Sequence, residues 1–236
     1  MRPYCLFFWI FVFVVFGIFY PEIQQTPFAQ QNIHSEEENI YFQWAFGALK
    51  VKGNDHVLIP ISKDTTLNSG DRLKIFIELK KDCFVYLIYH GSNDSLEMLF
   101  PRNFQEFVNG HNILGKNYIP QGNQWLELDQ HAGLETFYLL ASAQRLKHLE
   151  SLFNQYRSSQ PTLKKELKQK ILAEIKNLQW QHRNFKKHAE RPVSIIGNLR
   201  GTGEVDRSYS FDVADLATEI SAQNFYSRII TIDHRK

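Results

Sequence analysis

The chain has 236 residues, 43% of them apolar and 14% aromatic, enough to bury one sizeable core with at most an appendage. Its 27 basic and 25 acidic side chains leave a formal charge of +2, which excludes a globally basic nucleic-acid binder. The two cysteines, Cys5 and Cys83, lie in an N-terminal apolar run and in the most buried-looking strand, so no disulfide framework is present.

Residues 1–29 begin with one early charge, Arg2, followed by about 16 uncharged residues, long for a signal-peptide core and short for a span of roughly 20. They read as a signal peptide cut after Ala29 or as a retained N-terminal membrane anchor. Either reading exports the rest, giving a periplasmic or membrane-anchored protein. Residues 30–40 are polar and acidic, a linker, and 41–236 form the domain proper.

In residues 41–51, Phe42, Trp44, Phe46 and Ala48 share one alternating face, which predicts a first strand, and 56–61 predict a second. Residues 67–71 read as a turn. Leu73, Ile75, Ile77 and Leu79 then alternate with Arg72, Lys74, Phe76 and Glu78, the pattern of a half-buried strand. Residues 83–89 are apolar or aromatic throughout, as in a strand covered on both faces, and Cys83 is a small buried hydrophobe there. Turn residues at 91–94 and a strand ending at Pro101 complete an antiparallel meander. A polar loop spans 102–124, and residues 125–129 pair with 134–141 as a hairpin.

From Gln144 the period becomes helical, with Leu146, Leu149, Leu152 and Tyr156 recurring every three to four residues. Pro161 opens a second helix to about His188, in which Leu163, Leu167, Ile171, Ile175, Leu178 and Phe185 share one stripe. Lys164, Lys165, Lys168, Lys176, Arg183, Lys186 and Lys187 gather beside it, a candidate face for an anionic partner. Beyond this helical hairpin at 144–188, residues 193–196 read as a strand, 212–222 as a short helix and 225–232 as a final strand. The fold class is therefore mainly β with an α insertion. It is an antiparallel β-sandwich, Ig-like in a broad sense, with a helical hairpin inserted before the last strands.

Several short pieces occur in a fixed order: LNSGD at 67–71, CFVYL at 83–87, LFP at 99–101, YIP at 118–120, LD at 128–129 and GLETFY at 133–138. This set resembles the bacterial domain of unknown function 4384 over about residues 67–150. The resemblance implies an exported or multidomain-attached β module, usually accessory, with no catalytic residues to carry over and nothing about the long helix.

No motif supplies chemistry. The nine histidines form neither HExxH nor a Cys-plus-His spacing, although His90, His111 and His131 fall at loops that could share one rim. Ser92 and Ser142 lack a nucleophile elbow, and the glycine pair Gly201 and Gly203 reads as a turn. Glu97, Glu127, Asp129 and Glu135 sit on candidate strands and could face one groove, as paired carboxylates do in glycosidases. The expectation is a non-enzymatic exported accessory module of the bacterial envelope, without metal or cofactor. It would bind a protein or an envelope polymer, not nucleic acid. The competing expectations are an envelope carbohydrate hydrolase using those carboxylates, and a sensor of anionic membrane surfaces acting through the basic helix.

Overall fold

The computed structural model describes residues 39–53, 55–80, 83–109, 115–183, 188–193 and 211–236. The expected leader or anchor, most of the linker, and the predicted strand residues 194–196 lie outside the described residues.

The fold is built from two sheets. The first contains β1 (Asn39–Lys52), β2 (Asp55–Pro60), β4 (Arg72–Leu79), β7 (Gly115–Ile119), β8 (Leu126–Glu127), β10 (His188–Pro192) and β11 (Thr218–Gln223). Its strand order is β10-β11-β1-β4-β7. The long β1 pairs with β11 through its first half and with β2 through its second, along the same edge. Similarly, β7 and β8 follow one another along the far edge of β4. The second sheet runs β3-β12-β9-β5-β6, formed by β3 (Thr65–Asn68), β5 (Phe84–His90), β6 (Leu96–Phe100), β9 (Gly133–Ser142) and β12 (Phe225–Arg235). Pairing is antiparallel except between β3 and β12.

Side-chain period decides the layers. Phe42, Trp44 and Phe46 of β1 and Leu73, Ile75 and Ile77 of β4 point to the space between the sheets, where they meet Val85, Leu87, Leu139 and Ile230. The alternate residues of β5, Tyr86 and Ile88, point the other way and are covered by α2 (Lys147–Ser158) and α3 (Pro161–Gln181) through Leu149, Phe153, Ile171 and Ile175. This explains why β5 is apolar on both faces: it is central in a sheet coated on both sides. On the outer face of the first sheet, Phe76 and Ala45 are capped by a 3-10 turn, Val213–Leu216. Gly47 admits that turn closely, since a Cβ there would come within 2.8 Å of the Val213 side chain. Among the described residues no helix is long and apolar enough to cross a membrane.

The sandwich and the inserted hairpin stand as read, but several connections differ. The three strands of 67–101 are not one meander, because β4 pairs with β1 in the first sheet whereas β5 and β6 pair in the second. The segment 125–129 makes no hairpin with 134–141; β8 joins β4, and β9 is held between β5 and β12. Part of the expected 67–71 turn is the parallel strand β3, and the 102–124 loop contains a single helical turn, α1 (Glu106–Asn109), and β7. The second helix stops at Gln181, and His188–Pro192 is an edge strand. Of residues 212–222 only Val213–Leu216 is helical, as a single 3-10 turn. Asp212 accepts a bond from the Ala214 N–H to start the 3-10 turn, and Ile220 and Ala222 alternate into the core as β11.

Candidate functional site: an acidic cleft at the open edge

The sheets end on the same side in β6 and in the collinear pair β7 and β8, leaving the sandwich open between them. Two clefts occupy this opening and share Leu99 of β6. One, of about 180 Å³, has walls of Leu73, Leu99, Leu126, Leu128, Tyr89 and Phe137, into which Glu97, Glu127 and Glu135 project. The other, of about 340 Å³, is lined by Arg102, Glu106, Asn117, Tyr118 and Gln121.

Thus three of the four carboxylates singled out in the sequence share one cleft. Asp129, the fourth, lies close enough for its charge, with those of Glu135 and Glu97, to act on Tyr89. Burial first, then the bond to Glu135, then these charges push the Tyr89 phenol above its ordinary value. The cleft therefore carries a negative field over an apolar floor.

The three glutamates differ in availability. Glu127 is exposed and pairs with Arg72 at 3.2 Å. Glu97 is exposed on the edge strand. Glu135 is 4% exposed and accepts from Tyr89 Oη at 2.6 Å, Ser92 N at 3.1 Å and Ser92 Oγ at 2.8 Å. Three donors of this kind fix a buried carboxylate in place. Gly133 makes room for the arrangement. Its φ is +154°, and a Cβ there would lie 2.6 Å from Ser92 Cβ. The glycine two residues before Glu135 is thus what lets Ser92 reach that carboxylate.

Behind Glu135 stands a group that sequence reasoning missed. His234, 2% exposed, has Nδ1 3.7 Å from Glu135 Oε1 and Nε2 3.1 Å from Ser69 Oγ. The order Ser, His, Glu is that of a hydrolytic triad, but its surroundings are those of a tie. The N–H groups of Ser69, Gly70 and Asp71 donate to the carbonyls of Arg235, Leu128 and Asn68 at 2.8, 2.8 and 3.0 Å, so none of these three is free to hold an oxyanion. Ser69 Oγ also reaches the Arg235 carbonyl at 3.3 Å. Together these contacts fasten β12 to the turn between β3 and β4.

The remaining candidates disperse. His90 pairs with Asp94 at 3.1 Å and His131 with Asp129 at 3.0 Å, while His111 lies outside the described residues. Among the described residues no group of three His, Cys, Asp or Glu side chains is placed to hold a metal ion. Cys83 is buried in the core. Of the basic helix, Lys164, Lys165, Lys176 and Arg183 are exposed, and Lys186 and Lys187 lie outside the described residues. Lys168 is not on the solvent face. It is 8% exposed, donates to the Asp94 carbonyl at 2.9 Å and pairs with the Asp94 carboxylate, tying α3 to the turn between β5 and β6.

No curated protein and no solved structure matches the chain. Residues 66–145 do match a family model, and that span contains every residue named above as lining the two clefts. From β3 to just past β9, the chain is similar to the family its ordered motifs resemble, the Domain of unknown function (DUF4384).

Proposed function

We propose that this protein is a non-enzymatic, exported accessory module of the bacterial envelope that binds a partner along the open edge between β6 and β7. The observation that carries the reading is the acidic cleft with its apolar floor, continued past Leu99 by a second, polar cleft. A groove of this length beside an edge strand suits an extended segment, and its charge suits one bearing basic side chains whose aliphatic stems lie on the leucines. Export is supported by the apolar run at 3–20.

Convergence of three carboxylates also favours a second reading, hydrolysis of envelope carbohydrate. Such an enzyme needs one carboxyl held protonated near neutral pH. Glu135 is already committed to three donors. Binding is therefore the better-supported reading.

The test compares the full chain with Glu97→Lys and Glu127→Lys variants. Each is probed for capture of envelope components at low and high salt, and for release of reducing ends from envelope glycans. Capture that both reversals and salt weaken, with no glycan cleavage, supports the module. Glycan cleavage lost in Glu97→Gln would replace it with the hydrolase, and capture indifferent to both reversals would remove the groove from the account.

A further inference from the structure

The exposed side of α3 is divided by charge into two lengthwise stripes. On one lie Lys165, Gln169, Leu172, Lys176 and Trp180, spaced by three or four residues and therefore in line along the helix, with Arg183 in the turn just past its end. This stripe has no acidic member. The other carries Glu166, Lys170 and Glu174, both acidic residues of the helix. Its charges are already met, since Lys170 pairs with Glu166 at 2.7 Å and Glu174 lies 4.0 Å from His148 of α2. The contact with His148 puts α2 on the acidic flank and leaves the basic flank on the far side of the helix. Lys168, Ile171, Ile175 and Leu178 form the buried line between them.

Segregation alone describes many solvated helices; the apolar member separates this one from them. Trp180 is 61% exposed, and the Arg183 guanidinium lies 4.8 Å from its ring centroid. An indole at the surface, flanked by cations and followed along the stripe by half-buried Leu172, has the composition of an interfacial helix. Lys165 and Lys176 stand about 16 Å apart at 1.5 Å per residue, with Arg183 beyond the end of the helix, too far apart to converge on one small anion. That spacing fits a plane of separated negative charges, and the indole fits a plane with an apolar layer beneath it.

We infer that the stripe of Lys165, Lys176 and Trp180 on α3, with Arg183 just past its end, is a contact surface for anionic lipid headgroups, with Trp180 entering the headgroup boundary. This surface is independent of the edge groove. It narrows the basic-helix expectation to one flank, from which Lys168 is excluded by its burial. Lysine and arginine near an anionic leaflet each strengthen association by about fivefold, an effect that salt suppresses.

The experiment reads Trp180 itself in the full chain, so that any membrane affinity of the apolar N-terminal run does not enter the signal. Emission of Trp180 is taken as the difference between the native chain and Trp180→Phe. It is recorded with brominated phosphatidylcholine vesicles and with vesicles of brominated phosphatidylcholine and phosphatidylglycerol in equal parts. The expected result is quenching on the mixed vesicles only, abolished by about 0.5 M salt. Reversing Lys165 and Lys176 to Glu should weaken it at least ~25-fold, from about fivefold for each cation lost, while leaving the stack of Arg183 on Trp180 in place. Reversing Lys170 on the other flank should change it little. Equal quenching on neutral vesicles, no quenching on either kind, or indifference to the double reversal would each overturn the inference. So would a soluble polyphosphate that shifts Trp180 emission at charge concentrations where the vesicles do not, which would assign the stripe to a polyanion instead.

Discussion

His234 Nδ1 stands 3.7 Å from Glu135 Oε1, joining the final strand to the back wall of the acidic cleft. Neither residue is more than 4% exposed. The pair is the middle of a chain of polar contacts that runs from Ser69 through His234 and Glu135 to Tyr89 and Ser92. A buried donor or acceptor that loses its partner is costly, and His234 Nδ1, at 3.7 Å from Glu135, makes no hydrogen bond among the described residues. Glu135 is the member on which the others depend, because it accepts from two residues and faces a third.

Replacing Glu135 by Ala should therefore be costly in a way that its small volume does not suggest. The half-buried Tyr89 hydroxyl loses its acceptor while the exposed Ser92 donors can turn to water, and the expected loss is about 1–3 kcal/mol. Glu135→Gln keeps one oxygen for Tyr89 and should lose roughly half as much. Urea denaturation of both variants checks the order; equal losses would mean that the charge and the hydrogen bonds contribute nothing separable.

Gly133→Ala tests the same network without touching any of its polar atoms. A methyl at this position meets Ser92 Cβ at 2.6 Å and sits on a backbone with φ of +154°, so Ser92 has to move away from Glu135. Destabilisation of roughly 2 kcal/mol is expected from the contact and the strain together. Combining the change with Ser92→Ala should cost less than the sum, because both remove the same bonds. Full additivity in that double-mutant cycle would sink the explanation.

The tie between α3 and the β5–β6 turn predicts an asymmetry. Lys168 is buried, whereas the Asp94 side chain is 67% exposed. Lys168→Met keeps the apolar stem and leaves a carboxylate that water can solvate, so its cost should stay below about 1 kcal/mol. Asp94→Asn preserves a residue tolerant of the left-handed backbone at φ of +66° but leaves a buried ammonium without its counter-ion. That change should be the more costly of the two. Chemical denaturation giving the reverse order would show that the ammonium is not dependent on Asp94.

Much of the architecture was legible because the longer strands repeat cleanly. Phe42, Trp44 and Phe46 announce one face of β1, and the unbroken apolar run of β5 announces two. What escaped has physical reasons. Strands β3 and β8 have four and two residues and are held by their neighbours rather than by any pattern of their own. The His188–Pro192 edge reads as charged helix end, since its inward contacts come from β11. Lys168 was grouped by its charge, yet with Ile171, Ile175 and Leu178 it continues a spacing of three or four residues that marks the buried line. At the site, Glu97, Glu127 and Glu135 were only candidates for one groove, because no feature of the sequence sets the distances between their strands and β8 pairs with β4 rather than with β9. The link from Ser69 to His234 crosses 165 residues and follows only from the parallel pairing of β3 with β12.

Alkaline titration provides a check on the whole set of buried phenols. Burial is the leading reason that Tyr86, Tyr89, Tyr118 and Tyr226 lie above the ordinary value of 10.0, with Tyr118 pushed up to about 12. Carboxylates add to it: Glu150 and Glu135 bond to the first two hydroxyls, and Asp212 and Glu190 act on the others through charge and a bond. A folded-state value above the unfolded one means that the unfolded chain gives up its proton first. This contribution to stability is therefore complete below pH 10 and is lost as pH rises through the folded values. Phenolate absorbance after a rapid jump to about pH 11 should show these tyrosines still protonated, with a second, slower rise as the chain unfolds. Tyr226→Phe should shrink that slow phase by one phenolate. A single fast step in which all ten tyrosines ionise while the far-ultraviolet dichroism stays native would mean that these hydroxyls are open to water, and that the sandwich is not closed around them.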